Sequence, residues 1–256
     1  MGRAIVTYGD RGTFPAGVER QGKAHALVRT TIQWLPMYQL PADYKRFRER
    51  RNLFKLYAMR EAHRAGFTSV MWWDSSIWAV RDPVPAFDAL EEHGVYLLNL
   101  GEINGVWTND VCLNIMGVTR EEAMQQLQVI SGFWGVNFND PRGKALFDEM
   151  WEHAHAKVSP YDGPKFAEWM PEKHRWGIGW VSNDKRVRGH RSDQSVLSCI
   201  AYRDGLHFYR SFPCDWWGAG HLEYVRDDGP YRISETTVAV ANGAKGPHDL
   251  RGIPYP

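Results

Sequence analysis

Residues 67–73 read FTSVMWW, and the run stops at Asp74. A β-rich apolar segment of this length predicts a strand covered on both faces, as in the middle of a parallel sheet. It follows an expected helix from about Pro41 to Ala65, closed by Gly66 as a C-terminal cap. An earlier apolar run, residues 3–8 (RAIVTY), leads into the Gly-rich loop GDRGTFPAG and reads as a first buried strand. Strand, helix, strand is the repeat of an α/β sheet, and ligands of such sheets bind where strands end at the carboxyl edge. That rule puts Asp74, Ser75 and Ser76 in a candidate position.

The rest of the chain continues the pattern. Residues 27–34 (LVRTTIQW) alternate and contain β-branched residues, which predicts a second strand. DPVPAFDALEEHG predicts a short helix and GVYLLNLG the next strand. Thr119 and Glu122 form a capping-box pattern opening a helix over TREEAMQQLQVI. GFWGVNFND reads as strand and turn, and Asp140 with Pro141 opens the helix PRGKALFDEMWEHAHA. Residues 157–190 read as loop. SDQSVLSCIAYRDG predicts a helix opened by Ser192 or Asp193 and closed at Gly205. With no internal repeat and no clear linker outside 157–190, the expectation is one α/β domain over residues 1–256.

Charge and cysteine usage narrow the function classes. Lys plus Arg total 31 against 30 Asp plus Glu, so there is no global pull toward nucleic acid or membrane. The three cysteines, Cys112, Cys199 and Cys214, are neither a disulfide framework nor a zinc cluster, and they imply a reducing, cytoplasmic setting. The start MGRAIVTYGDRG has no long apolar stretch, so no signal peptide is expected, and no segment is apolar enough to predict a membrane span. The sequence contains no HExxH, no GK[ST]-ending phosphate loop, no GxGxxG and no GxSxG. The twelve tryptophans point to flat surfaces for stacking on rings, whether sugars or bases.

Four places carry candidate chemistry, each beside a plainer reading. Asp74, ending its strand, either caps the next turn or holds a divalent cation or a sugar hydroxyl. Asp193 and Gln194 open a helix whose amino end favours anions, or Asp193 is a plain cap; His190 and Arg191 before them suit phosphate, or are solvated surface. Lys55 either reaches a phosphate at the sheet edge or snorkels on the surface. In SGFWGVNFN, Gly132 and Gly135 flank Phe133 and Trp134, a pattern of either close ligand approach or a core strand.

Three stretches together resemble the GT-A fold nucleotide-sugar glycosyltransferases. These are NLFKLYAMREAHRAGFTSVMWWDSSIWAVRDP, QVISGFWGVNFNDPRGKALFDEMWEHA and RGHRSDQSVLSCIAYRDG, in matching order across roughly residues 50–205. The resemblance implies a GT-A-like (Rossmann-like) mixed, mostly parallel central sheet flanked by helices. It implies a donor-binding part roughly over 1–110 and an acceptor and catalytic part roughly over 111–256. It places Thr7, Tyr8 and Gly9 at the nucleotide, Lys55 near the diphosphate, and Trp73, Asp74, Ser75, Ser76, His190 and Arg191 around the donor. Asp193 and Gln194 become the catalytic pair facing the donor sugar, and Gly132, Phe133, Trp134 and Asn137 an acceptor wall. Asp74 takes the first place of the Asp-x-Asp motif, but Ser76 stands where the second Asp belongs. The implied cofactor is Mn²⁺ or Mg²⁺ held by Asp74, Ser76 and a late histidine, His221 (or His248).

The implied activity is hexosyl or pentosyl transfer from a nucleotide-diphosphate sugar, UDP-linked for instance, to an acceptor hydroxyl. The basic run 45–51 (KRFRERR) and the stretch 173–191, which holds Trp176 and Trp180, admit nucleic acid and a modified DNA base as acceptor, or form a solvated charged face. Two other classes stay open: a non-catalytic nucleic-acid-binding protein, and a sugar-nucleotide-binding protein without turnover.

Overall fold

A computed structural model describes residues 2–9, 15–39, 41–42, 44, 52–163, 181–209, 218–219, 222–225 and 238–242. The central sheet has five strands in the order β2 (Gln33–Met37), β1 (Gly2–Tyr8), β3 (Phe67–Trp73), β8 (Phe133–Asn137), β5 (Val95–Tyr96). β1 is parallel to both β2 and β3, whereas β8 is antiparallel to β3 and β5. The sheet is therefore mixed and mostly parallel, the class expected from the sequence. Four strands, β4 (Ile77–Ala79), β9 (Gly218–Ala219), β10 (Leu222–Val225) and β11 (Ala239–Asn242), form a second sheet, and β6 (Asn99–Ile103) pairs with β7 (Leu127–Val129).

Seven α-helices lie among the described residues: α1 (Pro15–Leu27), α2 (Phe54–Arg64), α3 (Val84–His93), α4 (Asp110–Met116), α5 (Arg120–Met124), α6 (Pro141–His155) and α7 (Asp193–Arg203). Period-two alternation divides the sheet between two cores. Val6, Val70, Trp72, Trp134 and Val136 face α2, α6 and α7 through Leu56, Leu146 and Val196. Ile5, Met71, Trp73 and Phe133 face the other way, onto Phe87 and Leu90 of α3 and Ile77 of β4. Both faces of β3 are thus buried, and each large aliphatic or aromatic side chain taken from water there contributes about 1.5–3 kcal/mol. No helix among the described residues is long and apolar enough to cross a membrane.

Local signals held where the chain carries its own cap. Thr119 and Glu122 make a reciprocal capping box, Asp140 caps α6 through the Arg142 N–H, and Gly66 takes a φ of +96° after α2.

Three expectations fail where tertiary partners decide. The stretch 27–34 is not a strand: α1 runs to Leu27, and β2 starts only at Gln33. The buried positions of α1 are Val18, Gln21 and Ala24, too small and polar to show a helical stripe. Gly22 lets this helix press on Trp34, whose ring would lie 2.5 Å from an added Cβ. The helix over TREEAMQQLQVI stops at Met124, because α7 side chains take the backbone beyond it: Leu127 N–H donates to Tyr202 Oη at 2.9 Å and Val129 N–H to Ser198 Oγ at 2.9 Å. GVYLLNLG splits into β5 and β6, which belong to different sheets. The helix expected from Pro41 is described as α2 from Phe54, and residues 45–51 lie outside the described residues.

Candidate active site

The end of β3 and the amino ends of α2 and α7 meet at the carboxyl edge of the sheet. Asp74 leaves the strand, Lys55 sits in the first turn of α2, and Asp193 is the first residue of α7. The Lys55 ammonium donates to Ser131 O at 2.9 Å and Ser131 Oγ at 3.3 Å. It also lies 3.3 Å from Asp74 Oδ1 and 2.9 Å from Asp193 Oδ2. Asp74 Oδ1 accepts a 2.6 Å hydrogen bond from Trp72 Nε1, and Asp193 Oδ1 accepts one of 2.6 Å from Asn52 Nδ2. One buried cation thus joins two carboxylates that are far apart in sequence.

Burial separates the roles of the three charges. The side chains of Lys55 and Asp193 are each 6% exposed, whereas Asp74 is 40% exposed. Only Asp74 offers a ligand an open oxygen. Its Oδ2 lies over Gly132, where an added Cβ would be 2.8 Å away, and its backbone N–H donates to Gly132 O at 2.8 Å. Burial alone lowers the basicity of Lys55, but the carboxylates of Asp193 and Asp74 outweigh it and hold the ammonium above the ordinary lysine value. Two carboxylates around one ammonium leave one negative charge in excess.

The backbone is strained on both sides of this cluster. Asn52 has a φ of +66° and Ser192 a φ of +49°, conformations that cost a non-glycine residue about 1–3 kcal/mol. Asn52 O accepts the Lys55 N–H at 3.1 Å, so one turn presents both the amide and the ammonium to Asp193. Ser192 Oγ is tied to Tyr161 O at 2.9 Å.

The remaining expected site residues fall into three groups. Near the cluster, Thr7 is buried at the end of β1, Tyr8 packs on Phe54 at 5.2 Å between ring centres, and the Gly9 N–H donates to Met37 O at 3.1 Å. Ser75 abuts the amino end of α1, where an added Cβ on Gly17 would lie 2.5 Å from Ser75 O; Ser76 follows in the same turn. Trp134 is buried beside Trp72 in the antiparallel register. Gln194 donates to Gln128 Oε1 at 2.8 Å, and Arg191 pairs with Glu102.

A second group lies elsewhere. Trp73 and Phe133 pack with their rings tilted, 4.9 Å between centres, in the opposite core; parity puts Trp72, not Trp73, beside Asp74 and Lys55. Asn137 sits at the far edge of the sheet, opposite Ser69 at the start of β3, because β8 runs antiparallel. Its Oδ1 accepts the Asn139 N–H at 3.0 Å in the turn before α6, so it is a turn residue rather than part of an acceptor wall. His190 is fully buried with Nε2 on Pro160 O at 2.9 Å, and burial, only partly opposed by that bond, pushes its pKa down to about 4. It is a neutral structural link and not a phosphate ligand. The third group, His221 and His248, lies outside the described residues, as do Trp176 and Trp180.

Sequence reasoning missed Asn52, Trp72, Ser131, Gln128 and Glu102. Asn52 stands in the turn that leads into α2, three residues before Lys55 and bonded to its N–H, and alternation from Val70 marks Trp72, so Trp72 had a signal in the strand pattern. The others are isolated polar residues in short strands and loops, with no pattern of their own.

Among the described residues no three His, Cys, Asp or Glu side chains gather to hold a divalent cation, and the third expected ligand, His221, lies outside them. Asp74 is a single carboxylate with Oδ1 taken by an indole and an ammonium, and Ser76 adds only a hydroxyl.

No protein-family model matches the sequence, and no curated protein matches it. Solved structures it is similar to include glycosyltransferases. Mouse xyloside xylosyltransferase 1 is 9% identical at a TM-score of 0.46, over 95% of this chain and 98% of that one. A glycosyltransferase involved in glycosylation of the major capsid of PBCV-1 is 8% identical at 0.46, over 94% and 93%. The bifunctional glycosyltransferase WbbM is 10% identical at 0.48, over 95% of this chain and 46% of that one.

Proposed function

We propose that this chain transfers a sugar from a nucleotide-diphosphate sugar to an acceptor hydroxyl at the Lys55–Asp74–Asp193 cluster. The observation that carries the reading is the convergence of two carboxylates from β3 and α7 on one buried ammonium at the carboxyl edge of the sheet. A GT-A-like arrangement needs its acidic groups at this edge, and the resemblance of the stretches around Lys55, Asp74 and Asp193 points the same way.

In the reaction, the acceptor oxygen bonds to the anomeric carbon as the bond from that carbon to the diphosphate oxygen breaks. The nucleoside diphosphate leaves with the electron pair, and the acceptor proton passes to solvent. The transition state is oxocarbenium-like. A preorganised site with excess negative charge stabilises the positive charge that develops on the sugar. Asp74, the exposed member, binds donor hydroxyls through Oδ2. Asp193 has Oδ1 on Asn52 and Oδ2 against Lys55, so it supplies fixed charge rather than a free base. Lys55 is committed to two carboxylates and Ser131, so it orders the site rather than neutralising the leaving diphosphate.

The test is nucleoside diphosphate release from a panel of UDP-, GDP- and dTDP-sugars, with and without Mn²⁺. Release from one donor, lost by about 10²–10³-fold in Asp74→Asn and in Asp193→Asn, is the expected result. Binding without release from any donor would favour a sugar-nucleotide-binding protein instead.

A further inference from the structure

A lysine ammonium is a compact point charge, and contact with it leaves a carboxylate free to turn. Lys55 lies 2.9 Å from Asp193 Oδ2, so a donor on Oδ1 decides how that group is turned. Asn52 is this donor: its Nδ2 meets Asp193 Oδ1 at 2.6 Å, from 141 residues away in sequence. An ionised carboxylate only accepts, which fixes the Nδ2 end of the amide as the one that faces it.

The residue type at position 52 answers two demands at once. The backbone has a φ of +66°, which glycine takes freely and asparagine and aspartate more readily than other residues. Glycine would make the turn and bring no donor. Aspartate would make the turn and set a third carboxylate against Asp193. Asparagine makes the turn and donates, and it adds no charge, so the excess negative charge of the cluster survives. The turn is pinned on both sides: Leu53 is fully buried in the core, and the Lys55 N–H donates to Asn52 O at 3.1 Å. On the other side of the hydrogen bond, Ser192, with its φ of +49°, directly precedes Asp193. Neither partner of the Asn52–Asp193 bond is thus carried by relaxed backbone, and strain persists only where the surroundings over-determine it.

We propose that Asn52 is a positioning residue, whose amide turns Asp193 so that one oxygen faces Lys55 and the carboxylate charge stays fixed toward the reacting sugar. This rests on the sugar-transfer reading above. Asn52 takes no part in bond making and acts through Asp193 alone. A charged group misplaced by about 1 Å can cost about 10²-fold in rate, so a single directed hydrogen bond is enough to matter.

Asn52→Gly separates the two demands, because it keeps the turn and removes only the amide. Asn52→Ala removes the amide and leaves the positive φ to a residue unsuited to it. The expected urea midpoint of Asn52→Gly therefore lies above that of Asn52→Ala. In Asn52→Gly, kcat for nucleoside diphosphate release should fall about ten-fold or more while the donor KM moves less than about two-fold. Burial opposes the Lys55 charge and the Asp193 carboxylate upholds it, so the Lys55 titration midpoint, followed by NMR, should step down in the same variant. In an Asp193→Asn background the substitution should change neither rate nor midpoint, because the partner it acts through is gone. A wild-type kcat or an unmoved Lys55 midpoint in Asn52→Gly overturns the inference, as does a loss of rate that persists in full in the Asp193→Asn background. If no donor yields diphosphate, sugar transfer falls and the titration decides alone: a step that vanishes in the Asp193→Asn background upholds the positioning of Asp193, and the absence of a step overturns it.

Discussion

The amino end of α7 carries two buried polar centres, and they are built in opposite ways. At Asp193, side-chain charges face one another: two carboxylates, one ammonium and an excess negative charge beside the exposed Asp74. At His190, three residues earlier, a neutral ring meets only backbone, with Nε2 on Pro160 O at 2.9 Å and Nδ1 on the Asn109 N–H at 3.4 Å. The second centre satisfies itself and ties three segments together. The first leaves charge over for something else to answer. Burial by itself does not distinguish a site from a strut; the distinction lies in what remains uncompensated.

The largest expected effect comes from breaking the charged centre. Lys55→Met leaves two carboxylates facing each other with one of them buried, and should cost about 3–5 kcal/mol of stability in urea denaturation. Combining it with Asp193→Asn should recover part of that loss. A single variant as stable as wild type would mean that the carboxylates do not depend on the ammonium.

The two centres also respond to opposite ends of the pH scale. The folded-state pKa of His190 is lowered from 6.5 to about 4. Between those values the unfolded chain takes up a proton that the folded chain refuses, so stability falls as pH drops through this window, by about 3 kcal/mol in all. Lys55 is shifted upward, so its contribution is fully present below the ordinary lysine value and is lost only as pH rises through its raised one. Denaturation curves from pH 4 to 7 should flatten in His190→Gln and keep their slope in Asp193→Asn. The reverse pattern would exchange the roles of the two centres.

Legibility in the sequence followed the same division. Asp74 and Asp193 were readable because each ends or begins an element, and element ends are written in apolar runs and caps. The parity of Trp72 against Trp73 required knowing which face of β3 meets α2. Asn137 went to the wrong edge because residue patterns do not state strand direction. α1 escaped because its buried face is Val18, Gln21 and Ala24, and its close contacts run through Gly17 and Gly22. Gln128 and Ser131 gain meaning only from partners on α2 and α7.

A smaller effect sharpens the same comparison without removing a charge. In Gly132→Ala the new Cβ would sit 2.8 Å from Asp74 Oδ2, so the exposed carboxylate must turn away. Diphosphate release should drop about ten-fold, equal to about 1.4 kcal/mol in the barrier. The pH window set by His190 should stay where it is. Wild-type turnover in this variant would remove Asp74 from the reaction.

The convergence of Asp74 and Asp193 on Lys55 is tested most directly by following the Lys55 side chain through its titration by NMR, in the wild type, Asp74→Asn and Asp193→Asn. The account predicts a wild-type midpoint above the ordinary lysine value of 10.5 and a downward step in each variant, larger for Asp193→Asn. A midpoint indifferent to both substitutions would contradict it, because the two carboxylates would then not share this ammonium.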